Sequence, residues 1–226
     1  MQPMPYPAVT GPTLLGAGAM ATNGTTAAAA QVPHPAGILA NDIGFLQGCI
    51  INATSSDSVA TPSGWTLIDQ SIMAGTASYF HALFWKRMAG GETGNVAVNL
   101  TPAGVTSTDN LFCRMTAFRG CIASGTPYEA LAQSTAQNAS MAGAAVTTLG
   151  PNRKILNFCA ADFGRSSSPA SGWAELYDQI STSGSADGSL ALYSIDKAIA
   201  GLLAAATHPL SGSARWQVKS LALIPA

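Results

Sequence analysis

The phrase Ser-Gly-Trp occurs twice in this chain, at Trp65 within TPSGWTLIDQ and at Trp173 within PASGWAELYDQ. Each copy continues through a short apolar run to an Asp-Gln pair. The surroundings match as well. An apolar run ending in cysteine precedes each tryptophan, GFLQGCI in one case and KILNFCA in the other. FHALFWKRM and SLALYSIDKA follow, each with a glycine turn behind it, AGGETG or AIAG. A run with basic residues among apolar ones closes each half, FCRMTAFRG and QVKSLALIP, with Arg114 matching Lys219 and Ala117 matching Ala222. One order of segments kept twice at nearly constant offsets is an internal repeat. Two origins fit it: duplication of one unit, or a pseudo-symmetric sandwich that imposes equal strand lengths while the phrase recurs by chance.

The segments themselves are strand-like. Runs rich in Val, Ile, Phe, Tyr and Trp alternate with Gly, Ser, Asp and Pro at intervals near ten residues, the pattern of a sandwich or barrel. Strands are expected at 43–52, 66–72, 79–88, 95–100 and 110–118, and again at 154–161, 174–180, 189–196, 202–207 and 215–224. The Asp187-Gly188 pair marks a hairpin. No segment sustains helical periodicity. The fold class expected is all-β: an antiparallel, jelly-roll-like β-sandwich with an extended N-terminal arm (residues 1–37) and two similar halves (38–125 and 145–226). The connector 127–152 is low in complexity, with room for a weak strand at 144–148 or a helical turn at 127–133.

In this frame Gly64 and Gly172 let the chain turn into a strand, and Trp65 and Trp173 close the open end of each half. A buried indole removes on the order of 200 Å² from water, about 5 kcal/mol before entropy is subtracted. The other reading of either tryptophan is a platform for stacking a sugar. Recurrence at matched positions favours the structural role.

Charge narrows the partners. Only 9% of residues are charged, against about 25% in ordinary soluble domains, and ten basic residues face eleven acidic ones. No basic cluster tracks phosphates, so nucleic acid is not an expected partner. No apolar run reaches the roughly 20 residues of a membrane-spanning helix. The opening MQPMPYPAV has no Lys or Arg and three prolines, and is not expected to act as a secretory signal. The four cysteines, Cys49, Cys113, Cys121 and Cys159, lack C-x-x-C spacing and are expected to be buried free thiols. So bland a chain is expected to hide surface against partners.

Residues 1–41 hold no Asp, Glu, Lys or Arg, and prolines frame them. An extended arm ending in an edge strand is expected here, ordered by contact with a neighbouring subunit or an underlying shell. Met1, Met4, Tyr6, Val9, Leu14 and Leu15 are its candidate contact residues.

Catalytic motifs are missing: there is no G-x-S-x-G, H-E-x-x-H or G-x-x-x-x-G-K-[ST]. His34 and His208 sit beside prolines and read as turn residues, while His81 lies in an apolar strand. Neither metal nor cofactor is expected. Asp42, Asp69, Glu92, Asp109, Glu129, Asp162 and Asp178 are the carboxylates from which a glycosidase pair would have to come.

The run VPHPAGILANDIGFL, then TPSGWTLID, ALFWKRMAGGETGNVAV and CRMTAFRGC, resembles a β-sandwich domain family of tailed-bacteriophage virion proteins. The resemblance covers residues 32–125, with 145–226 as a second half. It implies a non-enzymatic virion protein, most simply a capsid decoration or cement protein stabilising the head shell. Its expected partners are the major capsid protein and other copies of itself, as a trimer, assembled in the cytoplasm of a bacterial host. The alternative is a tail or fibre component that binds a host-surface glycan. The resemblance transfers no catalytic residue.

Overall fold

The computed structural model describes residues 10–23, 29–51, 57–73, 79–101, 110–181 and 187–226. Among them there is no helix, and the strands form antiparallel sheets without a barrel, a β-sandwich. The first half comprises β1 (Thr13–Ala17), β2 (Ala21–Thr22), β3 (Ala29–Pro33), β4 (Ile43–Ile51), β5 (Ser58–Val59), β6 (Thr66–Ile72), β7 (Tyr79–Arg87), β8 (Asn95–Thr101) and β9 (Asn110–Arg119). The second comprises β10 (Tyr128–Ala142), β11 (Val146–Thr148), β12 (Arg153–Asp162), β13 (Ala174–Ser181), β14 (Gly188–Lys197), β15 (Gly201–Leu203) and β16 (Thr207–Leu223).

Each half carries one large sheet, and the two share a strand order. The first runs β1-β9-β4-β7-β6, with β2 also on β9; the second runs β10-β16-β12-β14-β13. Register agrees too. Arg114, Gln47, Leu83 and Asp69 make one cross-strand row, and Lys219, Phe158, Leu192 and Tyr177 make its counterpart. Both rows reach their last member across an irregularity, between Leu67 and Asp69 in β6 and between Glu175 and Tyr177 in β13.

Four layers result. One face of the first large sheet (Leu46, Phe84, Met115) packs on the small sheet β3-β8-β5 through Val32, Val98 and Leu100. Its other face (Phe45, Phe112, Phe118) meets Leu156, Phe158, Leu192 and Leu221 of the second large sheet. The far face of that sheet packs beneath its own outer strands, around Val146, Tyr193, Leu210 and Trp216. Strands with apolar neighbours on both faces lose the in–out alternation of a half-solvated sheet. Hence β4 is buried along its whole length and reads as an apolar run interrupted only by Gln47.

The N-terminal and connector expectations need correction. From Thr13 onward the N-terminal segment is not an arm free of its own domain: β1 and β2 pair with β9, and β3 pairs with β8. Leu14 joins the core between the two large sheets and Leu15 the outer core of the first half. Neither is offered to a neighbour. Met1, Met4, Tyr6 and Val9 lie outside the described residues. In the connector, 128–142 forms the long edge strand β10, with no helical turn at 127–133. β10 lies on β16 as β1 lies on β9, so the similarity of the halves begins near residues 13 and 128 rather than 38 and 145. The expected strand at 202–207 is divided between β15 and β16, and β16 begins eight residues before 215.

Candidate functional site

Three places gather polar or reactive groups: the two tryptophan turns, the layer between the halves, and the open clefts. At the turns, Pro62 C=O accepts from Trp65 N–H at 3.0 Å, and Ala170 C=O accepts from Trp173 N–H at 2.9 Å. Gly64 and Gly172 have φ of 77° and 81°, the left-handed value a type II turn needs at its third residue. The repeated phrase is therefore a β-turn feeding β6 and β13. Trp65 is 7% exposed and lies over Gly44, where a Cβ would stand 3.3 Å from the indole Cη2. Trp173 is only half-buried, packed near Ile155 and Ile195 and edge-on to His208 at 5.4 Å. Trp65 also lines the surface cleft along β8, and Trp173 keeps part of its ring in solvent.

Between the halves lies a polar belt. The Gln47 amide donates from Nε2 to Cys159 C=O at 2.7 Å and to His81 Nε2 at 3.0 Å, while its Oε1 accepts from Tyr177. That assigns the Nδ1–H tautomer to His81. Burial, and then the Lys219 charge, hold His81 well below the usual imidazole range, so the ring is neutral at neutral pH. The Arg114 guanidinium lies over the Tyr177 ring at 4.3 Å and donates from Nε to Gly18 C=O at 2.9 Å. Lys219, fully buried, donates to Asp69 and, at 2.8 Å, to Ser71 Oγ. Burial pushes the Asp69 carboxyl up, but the bonds from Lys219 and Ser71 outweigh it and leave it below its ordinary value.

Carboxylates elsewhere are engaged in holding strands. Arg119 binds Asp42 through Nε at 2.9 Å and Nη2 at 2.7 Å. Arg153 donates to Glu129, and Arg215 donates to Asp162. Glu92 accepts from Ala89 and Gly90 N–H, and Asp178 accepts from Ser167 N–H. Asp109 lies outside the described residues. Each of these carboxylates that lies among the described residues thus accepts from a backbone turn or a cross-strand cation, although Asp178 keeps one buried oxygen, Oδ1, without a partner, and burial raises its carboxyl above the ordinary value.

Histidines and cysteines follow the same rule. His208 is not a turn residue but wholly buried, stacked on Tyr193 at 4.2 Å, and accepts at Nδ1 from Ala170 N–H. His34 does sit in a turn segment, its Nδ1 3.2 Å from Gly94 C=O. All four cysteines are buried and free. Burial pushes the Cys121 thiol up to about 12 and the others further, against nucleophilic use. Among the described residues no cluster of His, Cys, Asp and Glu could hold a metal ion.

Among the described residues, polar groups also gather at two clefts that open to the surface. One of about 400 Å³ runs along β8, lined by His34, Thr61, Ser63, Lys86, Asn95 and Asn99. Another of about 370 Å³ lies where Thr10 and Gly11 meet the ends of β12 and β14, lined also by Arg153, Lys154, Asp196 and Lys197.

Sequence reasoning found the Arg114–Lys219 match but missed Gln47, His81 and Tyr177 as one network. The available signal was a single polar residue inside an otherwise apolar stretch, Gln47 in β4 and His81 in β7. Comparison with family models, curated proteins and solved structures returns no match.

Proposed function

We propose that the protein is a non-enzymatic structural component of a bacteriophage particle, a decoration or cement protein that stabilises the head shell together with the major capsid protein. The observation that carries this reading is where the charges go. The located carboxylates, and the arginines and lysines facing them, tie strand to strand, so few remain for chemistry or for a solvated surface. Large aliphatic side chains such as Leu149, Ile199 and Leu202 stand in the solvent instead. A surface of that kind suits association within a particle. The likeness of the tryptophan-turn sequences to phage virion sandwiches supports the same role.

The cleft beside β8 favours a second reading, a tail or fibre component holding a host glycan. Its hydroxyl, amide and ammonium groups match sugar hydroxyls in kind.

Quantitative mass spectrometry of purified particles of the encoding phage separates the two. A copy number comparable to that of the shell subunit supports decoration, and a handful of copies per particle supports the tail. Absence from particles, or polysaccharide turnover abolished by replacing one carboxylate, overturns the structural role.

A further inference from the structure

The cleft beside β8 is the gap left where β5 parts from that strand. Ser58 and Val59 pair with Thr101 and Leu100, and Ala60 N–H donates to Asn99 C=O at 2.8 Å. Beyond Ala60 the chain turns away through Thr61, Pro62 and Ser63 to Trp65. β8 meanwhile continues back to Asn95 with β3 along its far edge. Backbone groups of an antiparallel strand point alternately to its two edges. Those of Ala97 and Asn95 therefore point the same way as those of Asn99, into the gap, with no strand opposite them among the described residues. Val96 and Ala97 both line the cleft, as consecutive residues do at the edge of a strand rather than on its face.

The second half ties up the equivalent place. Ser168, which like Ala60 lies five residues before its tryptophan, donates to Pro209 C=O at 3.0 Å. Pro209 thus stands where Asn99 stands, and His208 where Val98 stands. The His208 ring accepts at Nδ1 from Ala170 N–H and fastens the tryptophan turn to the strand. In the first half the residue matching Ala170 is Pro62, which has no N–H to give, and Val98 has no acceptor to offer. The turn stands off from β8, and a volume of about 400 Å³ is left between them.

Hydroxyls and amides surround this space. Thr61 and Ser63 stand on the turn side. The side chains of Asn95 and Asn99 stand on the strand side, exposed on one face with the Ala97 methyl between them. Pro62 and Trp65 supply apolar wall. Lys86 is the one lysine or arginine of the lining, and its charge is already answered. Its Nζ lies 3.6 Å from Glu92, a carboxylate held in place by Ala89 and Gly90 N–H. An anionic ligand would have to confront that carboxylate, whereas a neutral polyhydroxyl ligand meets both donors and acceptors. A peptide strand fits less well. Asn95 and Ala97 alone offer outward backbone before β5 closes the edge, against about 5–6 residues in an ordinary strand.

We infer that this cleft binds a segment of neutral oligosaccharide. The outward N–H and C=O of Ala97 and the amides of Asn95 and Asn99 meet sugar hydroxyls along one side, and Thr61 and Ser63 meet them along the other. The inference rests on the glycan-holding reading of the cleft given above, to which it adds the class of sugar and the residues that hold it.

The test is titration of the isotope-labelled full-length protein with short neutral hexose and N-acetylhexosamine oligosaccharides, and with uronic-acid oligosaccharides of the same length, followed by amide NMR shifts. Neutral members are expected to bind with a Kd below about 1 mM and to shift the amides of Ser63, Ala97 and Asn99. Asn99→Ala should weaken that binding about fivefold, the loss of one hydrogen bond. Ala97→Arg should weaken it at least about tenfold by filling the space between the two amides. Both positions are exposed, so the thermal midpoint should stay unchanged. Neutral saccharide binding that is indifferent to both substitutions overturns the assignment to this cleft. Uronic-acid saccharides binding at these amides in place of neutral ones overturns the neutral class. Either result leaves the glycan-holding reading in place, whereas a wild-type protein that binds no saccharide overturns that reading together with the inference.

Discussion

Arg114 and Lys219 occupy the same register position in the two halves, and each crosses to the opposite half: Arg114 lies over Tyr177, and Lys219 pairs with Asp69. Tyr177 and Asp69 are themselves register equivalents, at the far ends of the two matched rows. The rows thus face one another head to foot. Reciprocal contacts of that kind define a two-fold interface between identical subunits. Here the reciprocity is kept within one chain, with the chemistry divergent: a cation over a ring on one side, an ion pair on the other.

The Lys219–Asp69 pair should show the asymmetry of a buried ion pair. Lys219→Met alone should cost about 3 kcal/mol or more, much of it from the stranded Asp69. Asp69→Asn alone should be as harmful, since it leaves the ammonium buried without its counter-charge. The double variant should recover most of the loss. Urea denaturation of the four proteins measures the coupling, and additive single effects would remove the pair from the list of contacts joining the halves.

The tryptophan turns predict unequal core losses and equal backbone losses. Trp65→Ala should destabilise by about 3–5 kcal/mol, and Trp173→Ala, whose ring is half in water, by nearer 2 kcal/mol. Gly64→Ala and Gly172→Ala should each cost about 1–2 kcal/mol, because an L-residue is forced into the left-handed region. No neighbouring atom lies within 4 Å of the new methyl at Gly64, and only Ile195 Cδ1, at 3.9 Å, at Gly172, so the cost is conformational. Thermal melts of the four variants check this. A Gly172 variant far worse than its Gly64 counterpart would contradict the shared turn.

Acid should weaken the fold partly through His208. Burial lowers its pKa from 6.5 to about 4, so protonation favours the unfolded chain. This contribution to stability is whole above about pH 6.5 and falls away as the pH drops towards 4, a loss of roughly 3 kcal/mol from this group. His208→Gln should flatten the pH dependence of unfolding over that interval. An unchanged slope would mean that the imidazole is not held neutral.

Much of this fold could be read in the sequence because the central strands are buried on both faces. GFLQGCI and KILNFCA are largely apolar runs, each carrying one amide (Gln47, Asn157), and their short length between turn residues selects a buried strand over a helix. Edge strands were harder. Tyr128–Ala142 is built from Ala, Ser, Gln and Asn, weak strand formers, and depends on β16 beside it for its conformation. Thr13–Ala17 was hidden for the same reason within a Gly- and Ala-rich stretch. Of the polar belt, the match of Arg114 to Lys219 was legible, but their partners were not. A cross-contact between halves depends on how two sheets face each other, and neither strand pattern encodes that.

The strand order also sets a schedule during synthesis. In both large sheets the strand made last, β9 or β16, lies between strands made earlier. The first half has all its strands once Arg119 has left the ribosome, but the sheet that covers its inner face waits for Leu223, roughly 100 residues later. At about 5–20 residues per second that is a delay of about 5–20 s. For that interval the inner face of the first half meets water. Its Gln47, His81 and Thr116 correspond in register to Phe158, Leu190 and Leu221 of the half made second. The exchange runs the other way at Phe112 and Ile51, whose register counterparts are Gln217 and Asp162, so the face that waits for its mate is mixed in polarity, with Gln47, His81 and Thr116 set among its apolar groups.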